Sequence, residues 1–136
     1  MKFNLLTQAI TALAFISNVM AMPTANTENI AELEKRDCGL ELQWTENFIE
    51  QGLARYRVWL ITHPRNDDLL RIYCEEFRAI ALLANNPQCY WANDGKYVLD
   101  ASYTRGTPGH ESYRADHWSA SRRFSDRTGC WCDVKV

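Results

Sequence analysis

Between Gly109 and Trp118 the chain reads GHESYRADHW, placing two histidines, two acids and an arginine within ten residues. These are the residue types of acid–base chemistry on phosphate esters. Ribonuclease chemistry would require His110, Glu111, Arg114 and His117 to converge on one cleft. His110-Glu111 also opens like the zinc-protease pattern, but the position that needs the second histidine holds Arg114. The chain has no Cys-x-x-Cys pair and no histidines at zinc-finger spacing, so no metal or cofactor is expected. A serine nucleophile elbow, a phosphate-binding glycine loop and an Asn-linked glycosylation sequon are likewise absent from the sequence. Thr104 to Ala115 is rich in Gly, Pro, Ser and charge and reads as an exposed loop. No catalytic residue is assigned on this reading, and a non-enzymatic role is favoured.

The second reactive set is Cys38, Cys74, Cys89, Cys130 and Cys132. Five thiols allow at most two bridges in one molecule and leave one cysteine free or intermolecular. Two bridges would help a small domain hold its core, at about 2–4 kcal/mol each.

These residues need elements to position them. From Asn66 to Asn85 the pattern NDDLLRIYCEEFRAIALLAN predicts a long amphipathic helix. Asn66 or Asp67 caps it, and Asn85-Asn86-Pro87 stops it. Leu69, Leu70, Tyr73, Cys74, Phe77, Ile80, Ala81 and Ala84 share its apolar face, with Arg71, Glu75 and Arg78 opposite. Glu76 falls at the edge of that face, either paired with the C-terminal arginines or stretched into solvent.

Cys38 to Trp44 suits a short strand. Thr45 caps a predicted helix from Glu46 to Leu53, and Arg55 to Thr62 is a strand by its β-branched and aromatic content. Asn93-Asp94-Gly95 predicts a hairpin joining CYWA to KYVLDASY. In its second strand Tyr97, Leu99, Ala101 and Tyr103 share one face, and Val98, Asp100 and Ser102 the other. A second hairpin is expected from Arg122–Ser125 and Gly129–Val136. In the last strand Cys130, Cys132, Val134 and Val136 point inward, while Trp131, Asp133 and Lys135 point out. The fold class is α+β: one or two helices packed on a mainly antiparallel sheet, stabilised by disulfides. Burying the cysteine-bearing helix and strand faces together favours Cys74 bridged to Cys130 or Cys132. Cys38 would then take Cys89 or the other member of that pair, and Cys130 would not bond Cys132.

Residues 1–21 have the layout of a secretory signal: Lys2, an apolar Leu5–Ile16 core, and a small-residue cleavage site ending at Ala21. Residues 22–36 are polar and end in Lys35-Arg36. This stretch resembles the pro-segments of fungal secreted proteins, which a kexin-type protease cuts after Lys-Arg. That resemblance implies a single mature domain over 37–136. Signal, dibasic pro-segment and cysteine-bridged domain together resemble the small secreted effector-like proteins of fungi. The likeness implies an extracellular virulence-type protein that binds a host or competitor protein. The element order from Asn66 to Val136 also resembles the small fungal guanyl-specific ribonucleases and ribonuclease-like effectors, which implies a relative of that fold without catalysis.

The formal net charge is −2. The first 36 residues hold three bases (Lys2, Lys35, Arg36) and three acids (Glu28, Glu32, Glu34), so residues 37–136 carry the same balance. This disfavours nucleic acid and anionic lipid as dedicated partners. Near-neutral charge and a helix expected to be buried also weigh against stable membrane association or a membrane-active killer-type toxin. Of the five tryptophans, Trp131 and Trp118 are the candidate anchors for a partner, beside Arg122 and Arg123 in a local basic stretch.

Overall fold

The computed structural model describes residues 37–136. The expected signal and pro-segment, with Ala21, Lys35 and Arg36, lie outside the described residues. The elements are β1 (Gly39–Glu50), β2 (Leu53–His63), α1 (Asp67–Ile80), β3 (Asn85–Trp91), β4 (Tyr97–Tyr103), α2 (Thr107–Thr128) and β5 (Trp131–Lys135). The five strands form one sheet in the order β3-β4-β2-β1-β5. All neighbours are antiparallel except β5, which runs parallel to β1. The α+β class with disulfides is therefore as expected.

Ala54, Tyr56, Val58 and Leu60 of β2 alternate inward and join Leu40, Leu42, Leu99, Ala101 and Tyr103 in one core. Both helices add their buried side chains to that same core, so they lie on one face of the sheet. Among the described residues the opposite face carries no helix.

The helix expected over Glu46–Leu53 is instead the second half of β1. Gln51 (φ 51°) and Gly52 (φ 80°) form a two-residue turn between Glu50 and Leu53, the geometry that closes a hairpin without splaying its strands. A bulge between Trp44 and Glu46 then shifts the register. Phe48 and Ile49 therefore face opposite sides of β1, and Leu53 belongs to the next strand, so their helix-like spacing marks no shared face.

α1 begins as its sequence demands, with the Asn66 side chain accepting from the Asp68 N–H at 3.0 Å. It stops at Ile80, five residues short of the expected Asn85, and Leu82 and Leu83 are exposed. The early stop lets β3 start at Asn85 and carries Cys89 back beneath the helix. Glu76 is nearly covered and meets Arg123 at 2.6 Å and Arg127 at 3.1 Å. Those arginines hold its carboxyl below the usual range, Arg123 contributing most. The pairing clamps α1 to α2.

The largest correction concerns residues 104–128. The expected loop and the first arm of the second hairpin, Arg122–Ser125, fall in one 22-residue helix, while the second arm is the strand β5. Its buried stripe is Gly109, Tyr113, His117, Ala120, Ser121 and Phe124: helically spaced, but mostly small or polar, so no apolar period marks it. Gly129, expected in a hairpin turn, is the left-handed C-terminal cap, its N–H bonding Ser125 O at 2.8 Å. Gly109 is required by contact, since a Cβ there would meet the Thr104 carbonyl oxygen at 1.6 Å.

The bridges are Cys74–Cys89 and Cys38–Cys130, which corrects the favoured pairing of Cys74 with Cys130 or Cys132. β5 lies at the β1 edge of the sheet, whereas Cys74 faces the β3 edge. Cys38 does pair with one of the two C-terminal cysteines, and Cys130 and Cys132 are not bonded to each other. Cys132 remains free within the chain, and burial pushes its thiol up to about 12, leaving it unreactive at neutral pH. Two disulfides belong to a protein that folds in an oxidising environment. Among the described residues no helix is long and apolar enough to cross a membrane.

Candidate binding surface

The sequence-predicted histidine cluster lies on α2, where His110 and His117 are seven residues apart. They share the helix face that turns toward the sheet, with Tyr113 between them: its ring centroid is 5.9 Å from His110 and 5.0 Å from His117. His110 stays exposed at the helix start, while His117 is fully buried. Its Nδ1 is 2.8 Å from the Tyr73 hydroxyl, and its ring lies 4.7 Å from Phe77. Burial drives its pKa down to about 3. Whichever nitrogen carries the proton, Nε2 has no hydrogen-bond partner, and nor does the Tyr113 hydroxyl. Glu111 and Arg114 point to solvent. The four side chains expected to converge in a ribonuclease cleft therefore do not meet. A histidine pinned neutral inside the core cannot alternate as acid and base near pH 7. Among the described residues no three His, Cys, Asp or Glu side chains are grouped to hold a metal.

A polar cluster that sequence reasoning missed occupies the helix-free sheet face. Arg55 and Arg57 point there from β2, and Asp100 and Ser102 from β4, paired in register as Arg55↔Ser102 and Arg57↔Asp100. Arg57 donates twice to Asp100, at 2.9 and 2.8 Å, and once to Glu46 at 2.8 Å. The Tyr90 hydroxyl donates to Asp100 at 2.6 Å and accepts from Arg57 at 2.8 Å. The Asp100 hydrogen bond is the largest influence raising the Arg57 pKa, and burial followed by the same carboxylate raises that of Tyr90. Arg55, only 3% exposed, donates to Asn86 O, Ser102 Oγ and Gln88 Oε1 and meets Glu50 at 3.2 Å. The signal for this cluster is present in the sequence: two strands with polar residues at alternate positions facing each other. Three carboxylates (Glu46, Glu50, Asp100) surround two guanidiniums, so neither arginine is free to clamp a phosphate.

Aromatic side chains surround this cluster. The indole of Trp131 lies over Gly39, where a Cβ would come within 1.9 Å of it, and stacks on His63 at 5.6 Å. Lys96 sits 4.6 Å above the Trp59 ring and Arg57 5.6 Å from Phe48; on the helix side of the sheet edge, where Trp91 pairs with Tyr97, Arg65 lies 5.1 Å over the Trp91 ring. The four predicted binding residues are not brought together. Trp131 is on the helix-free face, Trp118 and Arg122 are exposed on α2, and Arg123 is engaged with Glu76. The chain was compared with protein-family models, curated proteins and solved structures, and none matches it.

Proposed function

We propose that this is a secreted, non-enzymatic protein of the effector type that acts by binding a protein of a host or competitor. The observation that carries the reading is the state of its charged groups. On the helix-free face the guanidiniums are already held by carboxylates, and the one deeply buried histidine is kept neutral. That leaves a surface of aromatic rings and satisfied polar groups, the composition of a protein-recognition face. Two disulfides suit a domain that must persist outside the cell, and both helices spend their apolar stripes on the core, which speaks against a membrane-active toxin.

Photo-crosslinking tests this. A benzophenone amino acid replaces Trp131 on the open face or, as a control, Arg122 on α2. The expected result is one discrete protein adduct from position 131 and none from position 122. RNA degradation by the wild-type protein that disappears in His117→Ala would reverse the reading in favour of a ribonuclease.

A further inference from the structure

We infer that the notch between β2, the β3–β4 turn and the start of α1 is a docking site for a short, extended, acidic segment of a partner protein. This rests on the binding reading above and gives it a place and a chemistry.

The first observation is a strand edge. The β2–β4 register ends at Trp59↔Val98, yet β2 runs on to His63, paired on its other side with β1. Leu60 still lies opposite Tyr97 at the start of β4, but Ile61 and Thr62 have no paired strand on the β4 side. Main-chain groups along such an edge accept an added strand, which supplies affinity through backbone hydrogen bonds.

A cavity opens at that edge. It is an open notch of about 220 Å³ whose lining includes Trp59, Ile61, Arg65, Leu70, Trp91 and Tyr97. This is smaller than the roughly 300–1,000 Å³ of small-molecule and cofactor sites. It matches one large apolar side chain lodged among the residues that line the notch, the anchor of a protein interface.

Charge selects the ligand. Each indole carries a cation, Lys96 on Trp59 and Arg65 on Trp91. Their own carboxylate contacts are loose and solvent-exposed: Lys96–Asp94 at 3.9 Å and Arg65–Asp67 at 3.3 Å. Exposed pairs of this kind contribute only about 0–1 kcal/mol, so an incoming carboxylate can replace them. The contrast with Arg55 and Arg57, locked by buried partners, separates this rim from the centre of the sheet. Aromatic rings beside cations also suit nucleic acid, but the strand edge favours a peptide backbone.

The test uses the disulfide-bonded secreted protein, isotope-labelled for NMR. Three probes are titrated: a capped pentapeptide with central phenylalanine, flanking valines and terminal aspartates; its counterpart with terminal lysines; and an eight-nucleotide oligouridine. The acidic peptide should shift the indole N–H signals of Trp59 and Trp91 and the amides of Ile61 and Thr62, saturably. Its affinity should exceed that of the basic peptide by about tenfold, and fall by about tenfold in Arg65→Glu/Lys96→Glu, as expected for two rim charges. Both substituted side chains are exposed, so the variant should fold, and an unchanged tyrosine and tryptophan near-ultraviolet spectrum checks it. Equal binding of the two peptides, tighter binding of the oligouridine, or no saturable shift up to millimolar peptide overturns the proposal. Acidic-peptide shifts confined to the Trp131 face also overturn it, while leaving the broader binding reading intact.

Discussion

His117 makes the fold acid-sensitive in a way that can be measured. It is fully buried, its Nε2 has no partner, and burial depresses its pKa from the ordinary 6.5 to about 3. The unfolded chain takes up a proton below pH 6.5, while the folded protein refuses it until about pH 3. Stability is therefore full above pH 6.5 and falls as the pH drops through that window, with no further loss from this residue below it. At 1.36 kcal/mol per pH unit, lowering the pH to 4.5 removes about 2.7 kcal/mol. That is a large share of the 5–15 kcal/mol typical of a domain, and corresponds to a drop of about 10–20 °C in melting temperature. The assay is urea unfolding of wild type and His117→Gln between pH 7.5 and 4.5, followed by tryptophan fluorescence. The variant's absolute stability is immaterial, because the difference in pH slope isolates the imidazole from the carboxylates that titrate in both proteins. A wild-type-minus-variant difference that stays constant within about 0.5 kcal/mol would refute the reasoning. So would imidazole NMR signals that titrate near pH 6 in the folded wild type, a measurement that stands even if the variant folds poorly.

Three further outcomes are expected. The Cys38–Cys130 bridge closes 92 residues and Cys74–Cys89 closes 15, so chain entropy assigns them about 4.6 and 3.0 kcal/mol; paired Ser substitutions should destabilise in that order in denaturant melts. Asp100→Ala strips Arg57 and Tyr90 of their shared acceptor and should cost about 3–5 kcal/mol, with a loss below 1 kcal/mol counting against a tightly held network. Gly39→Ala must push the Trp131 indole off His63; because that ring is half exposed, stability should change by less than about 1 kcal/mol while the near-ultraviolet circular dichroism of tryptophan weakens.

How much of this was legible depended on whether a buried stripe was apolar. α1 declared itself because Leu69, Leu70, Tyr73, Cys74 and Phe77 repeat at helical spacing between marked ends. β4 did so because Asn93-Asp94-Gly95 fixes its start and its two faces alternate cleanly. α2 did not, since Gly109, His117, Ala120 and Ser121 occupy its inner face. Small and polar residues bring α2 close to α1 but read as a loop. The second half of β1 was hidden for the opposite reason: Phe48 and Ile49 are consecutive apolar residues that face opposite sides of the strand, opposite Arg55 and Ala54, and so show no alternation. Strand order was beyond the sequence altogether. The faces of β4 and β5 were read correctly, but nothing local says that β5 adds in parallel at the β1 edge, and the Cys74 pairing turned on that.

The same distinction explains why the titratable cluster weighed as an alternative site does not converge. Sequence reasoning looked for chemistry where titratable residues crowd together, and found GHESYRADHW. In the fold that crowding is an accident of helical periodicity: His117 is carried inward, Glu111 and Arg114 outward. The charges that the fold immobilises come from distant strands and helices, with Arg55 and Arg57 caged by Glu46, Glu50 and Asp100 and Arg123 and Arg127 by Glu75 and Glu76. Locking those groups rigidifies the middle of the sheet and the seam between the helices. Arg65 and Lys96, by contrast, rest on indole faces with only solvent-exposed acids nearby. A cation parked on an aromatic ring beside a free strand edge costs little to rearrange, because it has no buried partner to abandon. If the proposed docking takes place, that rim is therefore where substitutions should change binding without changing stability.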